Sequence, residues 1–224
     1  MQLLLDTADL NAIKEIISIY PIDGLTTNPS ILAASKWDLK DTFEQFRQLG
    51  RHLSLHLQTT ARTAENIVEQ GRALTDNFGD GFHLKIPICE EGIKAIPMAK
   101  AAGIKVTATA VFTPLQALAA AKAGADYVAP YVNRLDNICA NGVAEVGNIT
   151  VILRNYGYET KVLGASFKNV QQLYDLSLAG CHAVTVTPAL VKAMIYHPYT
   201  DKSIELFDHD WQERFGDSHI TDYL

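Results

Sequence analysis

Lys85 is the side chain whose surroundings point most directly to chemistry. It lies in Phe82-His83-Leu84-Lys85-Ile86-Pro87. As a strand, this run puts Phe82, Leu84 and Ile86 on one face and His83, Lys85 and Pro87 on the other. The apolar face is expected to meet helices, which turns Lys85 into the interior near the C-terminal end of the strand. An amine held among apolar neighbours loses hydration, and this lowers its pKa from the reference of about 10.4. A neutral amine attacks carbonyl carbon, the requirement of Schiff-base catalysis. The same position suits a structural ion pair with Asp6, and spacing alone leaves both readings open.

Neighbouring runs carry polar residues to the same level. In the third run Ser54, His56 and Gln58 point inward, and Leu53, Leu55 and Leu57 point outward. The fifth offers Thr107 and Thr109, the sixth Ala129 and Tyr131, and the seventh Gly164 and Ser166. Asp6 and Asn28 close the first two. Lys168 follows the seventh run and Arg134 the sixth, where the pair could hold a phosphate or be solvated surface charge. Lys105 and Lys161 open their strands and belong at the opposite end.

The elements that must position these residues follow from periodicity. Strand-like runs at 3–6, 24–28, 53–58, 82–87, 105–111, 127–132, 161–166 and 183–187 recur every 20 to 30 residues. Intervening segments such as 61–77 and 90–102 repeat apolar residues at helical spacing. Gly103, Gly124 and Gly180 fall where helices should stop. Eight alternations predict a (β/α)8 barrel, an α/β TIM barrel whose active site gathers at the C-terminal strand ends. A doubly wound open sheet alternates too, usually with fewer strands. No linker or composition break divides the chain, so residues 1–224 read as one barrel domain with 201–224 as a helical tail. An extra helix is expected at 201–215, and its Ile204, Leu206, Phe207, Trp211 and Phe215 need a surface to cover.

Composition bounds the function class. The chain has 224 residues, 48% hydrophobic and 20% charged, which excludes disorder. A net charge of −6 disfavours sequence-independent nucleic-acid binding. No apolar stretch reaches the roughly 18–20 residues of a membrane span, and the N-terminus lacks a basic lead and a signal-like apolar run. Three scattered cysteines, Cys89, Cys139 and Cys181, form no CxxC pair, so a reduced, cytoplasmic protein is expected. No cluster has metal-ligand spacing, and Asp208-His209-Asp210 on the tail reads as a solvated face. No cofactor and no metal are expected.

Five motifs carry a family resemblance. Leu5-Asp6-Thr7, Thr26-Thr27-Asn28-Pro29-Ser30, Lys85-Ile86-Pro87, Val128-Ala129-Pro130-Tyr131-Val132-Asn133-Arg134 and Gly164-Ala165-Ser166-Phe167-Lys168 resemble the transaldolase family. More narrowly, the chain is similar to its short members, the fructose-6-phosphate aldolases, nearly end to end. The resemblance implies a class I aldolase barrel that needs no cofactor and acts on a sugar phosphate and a ketone donor. It implies that Lys85 is the Schiff-base lysine and that Asp6 orients hydroxyls and assists proton transfer. Asn28 would hold the donor's terminal hydroxyl, with Thr26 and Ala129 among the substrate-contacting positions. Gln58, Thr109 and Tyr131 would hold a catalytic water, and Arg134, Ser166 and Lys168 the acceptor phosphate. Transaldolases typically have Glu and Phe where this chain has Gln58 and Tyr131. A phenol can protonate the enamine and free the donor, so the pair favours aldolase, with transaldolase as the alternative. The resemblance also implies a homodecamer built from pentamers, the tail helix covering a neighbour.

Some positions depart from the pattern. Thr107 replaces a larger apolar residue, and His56 and His83 stand one step below Gln58 and Lys85 where relatives are usually apolar. The loop from Asn137 to Gly142 differs from the Gly-rich version common in the group.

Overall fold

The computed structural model of the chain describes residues 1–49 and 52–224. Eight strands, β1 (Gln2–Asp6), β2 (Gly24–Thr26), β3 (Ser54–Gln58), β4 (Phe82–Pro87), β5 (Val106–Val111), β6 (Tyr127–Pro130), β7 (Lys161–Gly164) and β8 (Ala183–Val186), close into a barrel in chain order. Every pairing is parallel, and β8 returns to β1 with Gln2 beside Ala183 and Leu5 beside Val186. The chain is therefore a (β/α)8 barrel, and an additional helix follows it. The helices are α1 (Leu10–Ile19), α2 (Pro29–Ala34), α3 (Leu39–Leu49), α4 (Ala64–Phe78), α5 (Glu90–Ala101), α6 (Pro114–Lys122), α7 (Val132–Asp136), α8 (Gly142–Asn155), α9 (Val170–Leu178), α10 (Pro188–Ile195) and α11 (Pro198–Phe215). None of the described helices is long and apolar enough to cross a membrane.

Two apolar regions result from strand alternation. Leu5, Leu25, Leu55, Leu57, Leu84, Ile86 and Val106 pack outward against helices in the larger core. Leu4, Tyr127, Ala129, Leu163 and Ala183 form a separate cluster inside the barrel. Strands buried on both faces are the norm in parallel sheets, which must hide each face behind helices or inside the barrel.

Local chemistry sets the strand ends. Asn28 ends the extended run as the N-cap of α2, its Oδ1 accepting from Ile31 N at 3.0 Å, with Pro29 in the first helical turn. Tyr131 similarly precedes α7, so β2 and β6 are shorter than the expected 24–28 and 127–132. On β7 the inward face is corrected. Leu163 joins the interior cluster, whereas a Cβ on Gly164 would meet Leu176 of α9 at 2.4 Å, which places Gly164 outward. Ser166 lies beyond the strand with φ at +62°. Val162 and Leu163 are apolar on both faces, so alternation there held no clue to direction. On β5 the ladder shifts register between Ala108 and Val111, around Ala110 at φ +57°, a bulge that re-aims the strand end.

The chain forms two compact units, Met1–Val191 and Lys192–Leu224, and the first contains the whole barrel. In the second, α11 begins earlier than residue 201 because His197 caps it, its ring nitrogen accepting from Tyr199 N at 3.2 Å. After Gly216 the chain turns back, and Trp211 Nε1 donates to Ser218 O at 2.8 Å while Trp211, Phe215 and Tyr223 bring their rings together. Ile204, Leu206 and Phe207 are exposed.

Candidate active site

β4 carries Lys85 into the barrel, where the side chain is only 5% exposed. Its Nζ donates to the backbone carbonyl of Thr27 at 2.9 Å. Among the described residues it makes no direct ion pair with Asp6, so the structural ion pair left open by spacing is not formed. Burial lowers the Lys85 pKa, and the Asp6 charge opposes that shift through space. Burial in turn raises the Asp6 pKa, and both Lys85 and a hydrogen bond from Thr26 pull it back. A buried amine and carboxyl without direct contact are each pushed toward the neutral form.

Asp6, at the end of β1, keeps partial solvent access. Its Oδ1 accepts from Thr26 Oγ1 at 2.7 Å, and Thr26 Oγ1 lies 2.6 Å from Thr185 Oγ1. Because the Thr26 proton is committed to the carboxylate, Thr185 is the donor of the second bond. A chain of two hydroxyls thus runs from β8 through β2 to Asp6. Sequence reading missed Thr185, although the alternation applied to the third to seventh strands also marks it as inward on the eighth. The Thr27 carbonyl carried no such signal, since every residue type has one.

Register fixes the neighbours of Lys85. Gln58 on β3 and Thr107 on β5 stand directly beside it, and Thr109 stands beside Pro87. Thr109 is fully buried, and its Oγ1 is 3.4 Å from the Tyr131 hydroxyl. The Tyr131 ring meets Phe112 edge-on at 5.4 Å and carries the Arg134 guanidinium over its face at 5.3 Å. Lys85, Asp6, Thr26, Gln58, Thr109 and Tyr131 therefore gather at one end of the barrel. Ala129 lies within the interior cluster below them. Asn28 stands beside the same end with Oδ1 occupied by the helix, which leaves its amide hydrogens for a ligand.

Arg134 and the segment holding Ser166 and Lys168 are tied by backbone bonds. Val132 N donates to Ala165 O at 2.9 Å and Asn133 N to Ser166 O at 2.8 Å. Lys168 is exposed just before α9, its own N–H donating to Gln172 Oε1 at 2.7 Å. Beside Asp6 the surface opens into a cavity of about 420 Å³ lined by Thr7, Ile31, Ser35, Lys36 and Trp37. His209, Asp210 and Glu213 on α11 are close together, and all three are exposed.

The geometry defines a barrel of the kind that keeps a buried amine, a carboxylic acid and a phenol at its C-terminal mouth. Residues 3–221 match the family described as Transaldolase/Fructose-6-phosphate aldolase, and the chain belongs to that family. Membership makes it an enzyme of the aldolase and transaldolase type. Among solved structures, a chain from "Structure of a cube-shaped, highly porous protein cage designed by fusing symmetric oligomeric domains" is similar at 14% identity, with a TM-score of 0.61 over 96% of this chain and 78% of that one. A second, "Native KDPGal structure", is similar at 16% identity, with a TM-score of 0.58 over 88% of each. At such identities the likeness is one of fold, the (β/α)8 barrel.

Proposed function

We propose that the chain is a class I aldolase that reversibly cleaves fructose 6-phosphate to dihydroxyacetone and glyceraldehyde 3-phosphate. The observation that carries this reading is Lys85, a buried amine whose Nζ rests on the Thr27 carbonyl and which, among the described residues, pairs with no carboxylate. Its lone pair adds to the C2 carbonyl, and loss of water leaves an iminium. The iminium draws the electrons of the C3–C4 bond as that bond breaks, and the C4 hydroxyl gives up its proton to become the aldehyde of glyceraldehyde 3-phosphate. Asp6 is the nearby carboxylate suited to assist that transfer. An enamine of dihydroxyacetone stays on Lys85. Tyr131, through a water held with Gln58 and Thr109, protonates C3. Water then hydrolyses the iminium, releases dihydroxyacetone and restores the amine. Arg134, Ser166 and Lys168 bind the phosphate of the substrate.

The test is release of glyceraldehyde 3-phosphate from fructose 6-phosphate, with and without erythrose 4-phosphate. Release without the acceptor is the expected result, and release only with it would make the enzyme a transaldolase. Tyr131→Phe should cut acceptor-free release by on the order of 100-fold, the worth of one general acid, while transfer to erythrose 4-phosphate persists. Borohydride with dihydroxyacetone should fix the donor on Lys85, and Lys85→Ala should abolish the adduct.

A further inference from the structure

A barrel floor needs only volume, and apolar residues fill it without a desolvation penalty. Here two histidines stand among the apolar side chains of the interior. His83 is 8% exposed and His56 is fully buried, and their rings stack at 4.3 Å with 4° between planes. Both meet the Tyr127 ring edge-on at 5.3 Å. His83 Nδ1 lies 3.3 Å from the Gly81 carbonyl, which can only accept, so the proton is on Nδ1 and Nε2 carries the lone pair. His56 Nδ1 is 2.8 Å from Thr107 Oγ1, and its Nε2 is buried with no partner among the described residues.

His83 faces a cavity of about 760 Å³ at the N-terminal end of the barrel. That volume is within the usual range for small-molecule sites. Lys100, Lys105 and Lys161 converge on it from α5 and from the starts of β5 and β7. Asp126 and Glu159 are the carboxylates at its wall. Asp126 is already committed, both oxygens accepting from Lys100 at 2.7 Å and one also from Val106 N at 2.7 Å. Lys105 donates to the Asp80 carbonyl at 2.6 Å, and Lys161 stands 5.7 Å from the centre of the Tyr127 ring. Among the described residues these two ammonium groups thus meet a neutral carbonyl and a ring face and form no ion pair, so their charge is available to a ligand.

We propose that this cavity is a second binding site, for the phosphoryl oxyanion of a small metabolite, at the end of the barrel opposite Lys85. Lys105 and Lys161 supply the charge. His83 completes the site as a proton-sharing partner, since an anion beside it favours the imidazolium that burial disfavours. Lys105 and Lys100 oppose protonation of His83 and Asp126 favours it, so an anion that screens the lysines shifts the balance. The histidine stack continues the polar path through His56 to Thr107, the register neighbour of Lys85.

The experiment follows histidine side-chain NMR signals while inorganic phosphate is added at constant ionic strength, with His83→Gln to assign the His83 signal. Lys168→Met is the background that weakens the phosphate site proposed at the mouth. The expected result is a saturable shift of the His83 ring signals and a protonation midpoint raised from about 4. In Lys105→Met/Lys161→Met the apparent affinity should fall by roughly tenfold or more. Circular dichroism and borohydride trapping on Lys85 check that this variant folds. A non-saturable response, or the same affinity in the double variant, would overturn the proposal.

Discussion

Thr26 spends its one hydroxyl proton on Asp6 and is held in that orientation by Thr185. The bond stabilises the carboxylate and so opposes the rise in pKa that burial imposes on Asp6. Removing the donor lets the Asp6 pKa rise further, so a higher pH is needed to ionise it. Thr26→Val should therefore move the acidic limb of the kcat/KM profile to higher pH, with adduct formation on Lys85 retained at neutral and alkaline pH. An unchanged acidic limb would show that Asp6 ionisation does not govern the rate. This relation was half visible in sequence. Thr26 and Asp6 fall in recognisable motifs, whereas the donor behind them comes from β8, far along the chain.

The placement of Lys85 depends on how β4 meets the helix that follows. Gly92 lies in the first turn of α5, and a Cβ there would sit 2.0 Å from the Pro87 carbonyl oxygen. Backbone cannot yield as a flexible side chain can, so Gly92→Ala must move the helix start or the strand end. The expected cost is about 2 kcal/mol, typical of overpacking, read as a lower urea midpoint. Adduct formation should slow as well, because the displaced strand end carries the amine. Gly103→Ala makes a useful contrast, since its added Cβ meets nothing within 4 Å and the strain there is of φ alone, at +78°. Periodicity located β4 and α5 nearly to the residue, because apolar and polar positions alternate in β4 and apolar residues recur at helical spacing in α5. It could not reveal the close approach at Gly92, which exists only when strand and helix are packed.

The two stacked histidines make the stability of the barrel itself pH-dependent. Burial lowers the His83 pKa from 6.5 to about 4 and holds that of His56 well below its ordinary value. The unfolded chain takes up protons near the ordinary value, while the folded barrel resists. Stability is therefore complete above about pH 6.5 and is lost as pH falls through about 4. For His83 the loss amounts to at most about 3 kcal/mol, and His56 adds to it with the same sign. His56→Phe/His83→Val should lose clearly less stability than the natural chain between about pH 7 and pH 4.5 in urea titrations. An equal loss would place the acid sensitivity elsewhere.

What sequence alone determined was the repeating order of strands and helices, the polar ends of the strands, and Lys85 as an inward amine. These are local properties, set by side-chain alternation within a few residues. On β3, β4 and β5 one face is apolar and the other polar, so direction could be read. On β7, where both faces are apolar, it could not. Tertiary structure alone decided that Lys85 rests on the Thr27 carbonyl and makes no pair with Asp6, and that Thr185 reaches Thr26 from the last strand. It alone decided that His56 and His83 stack above a lysine-lined cavity. Each of these joins residues far apart in the chain, and closing the sheet into a barrel is the step that brings them within bonding distance.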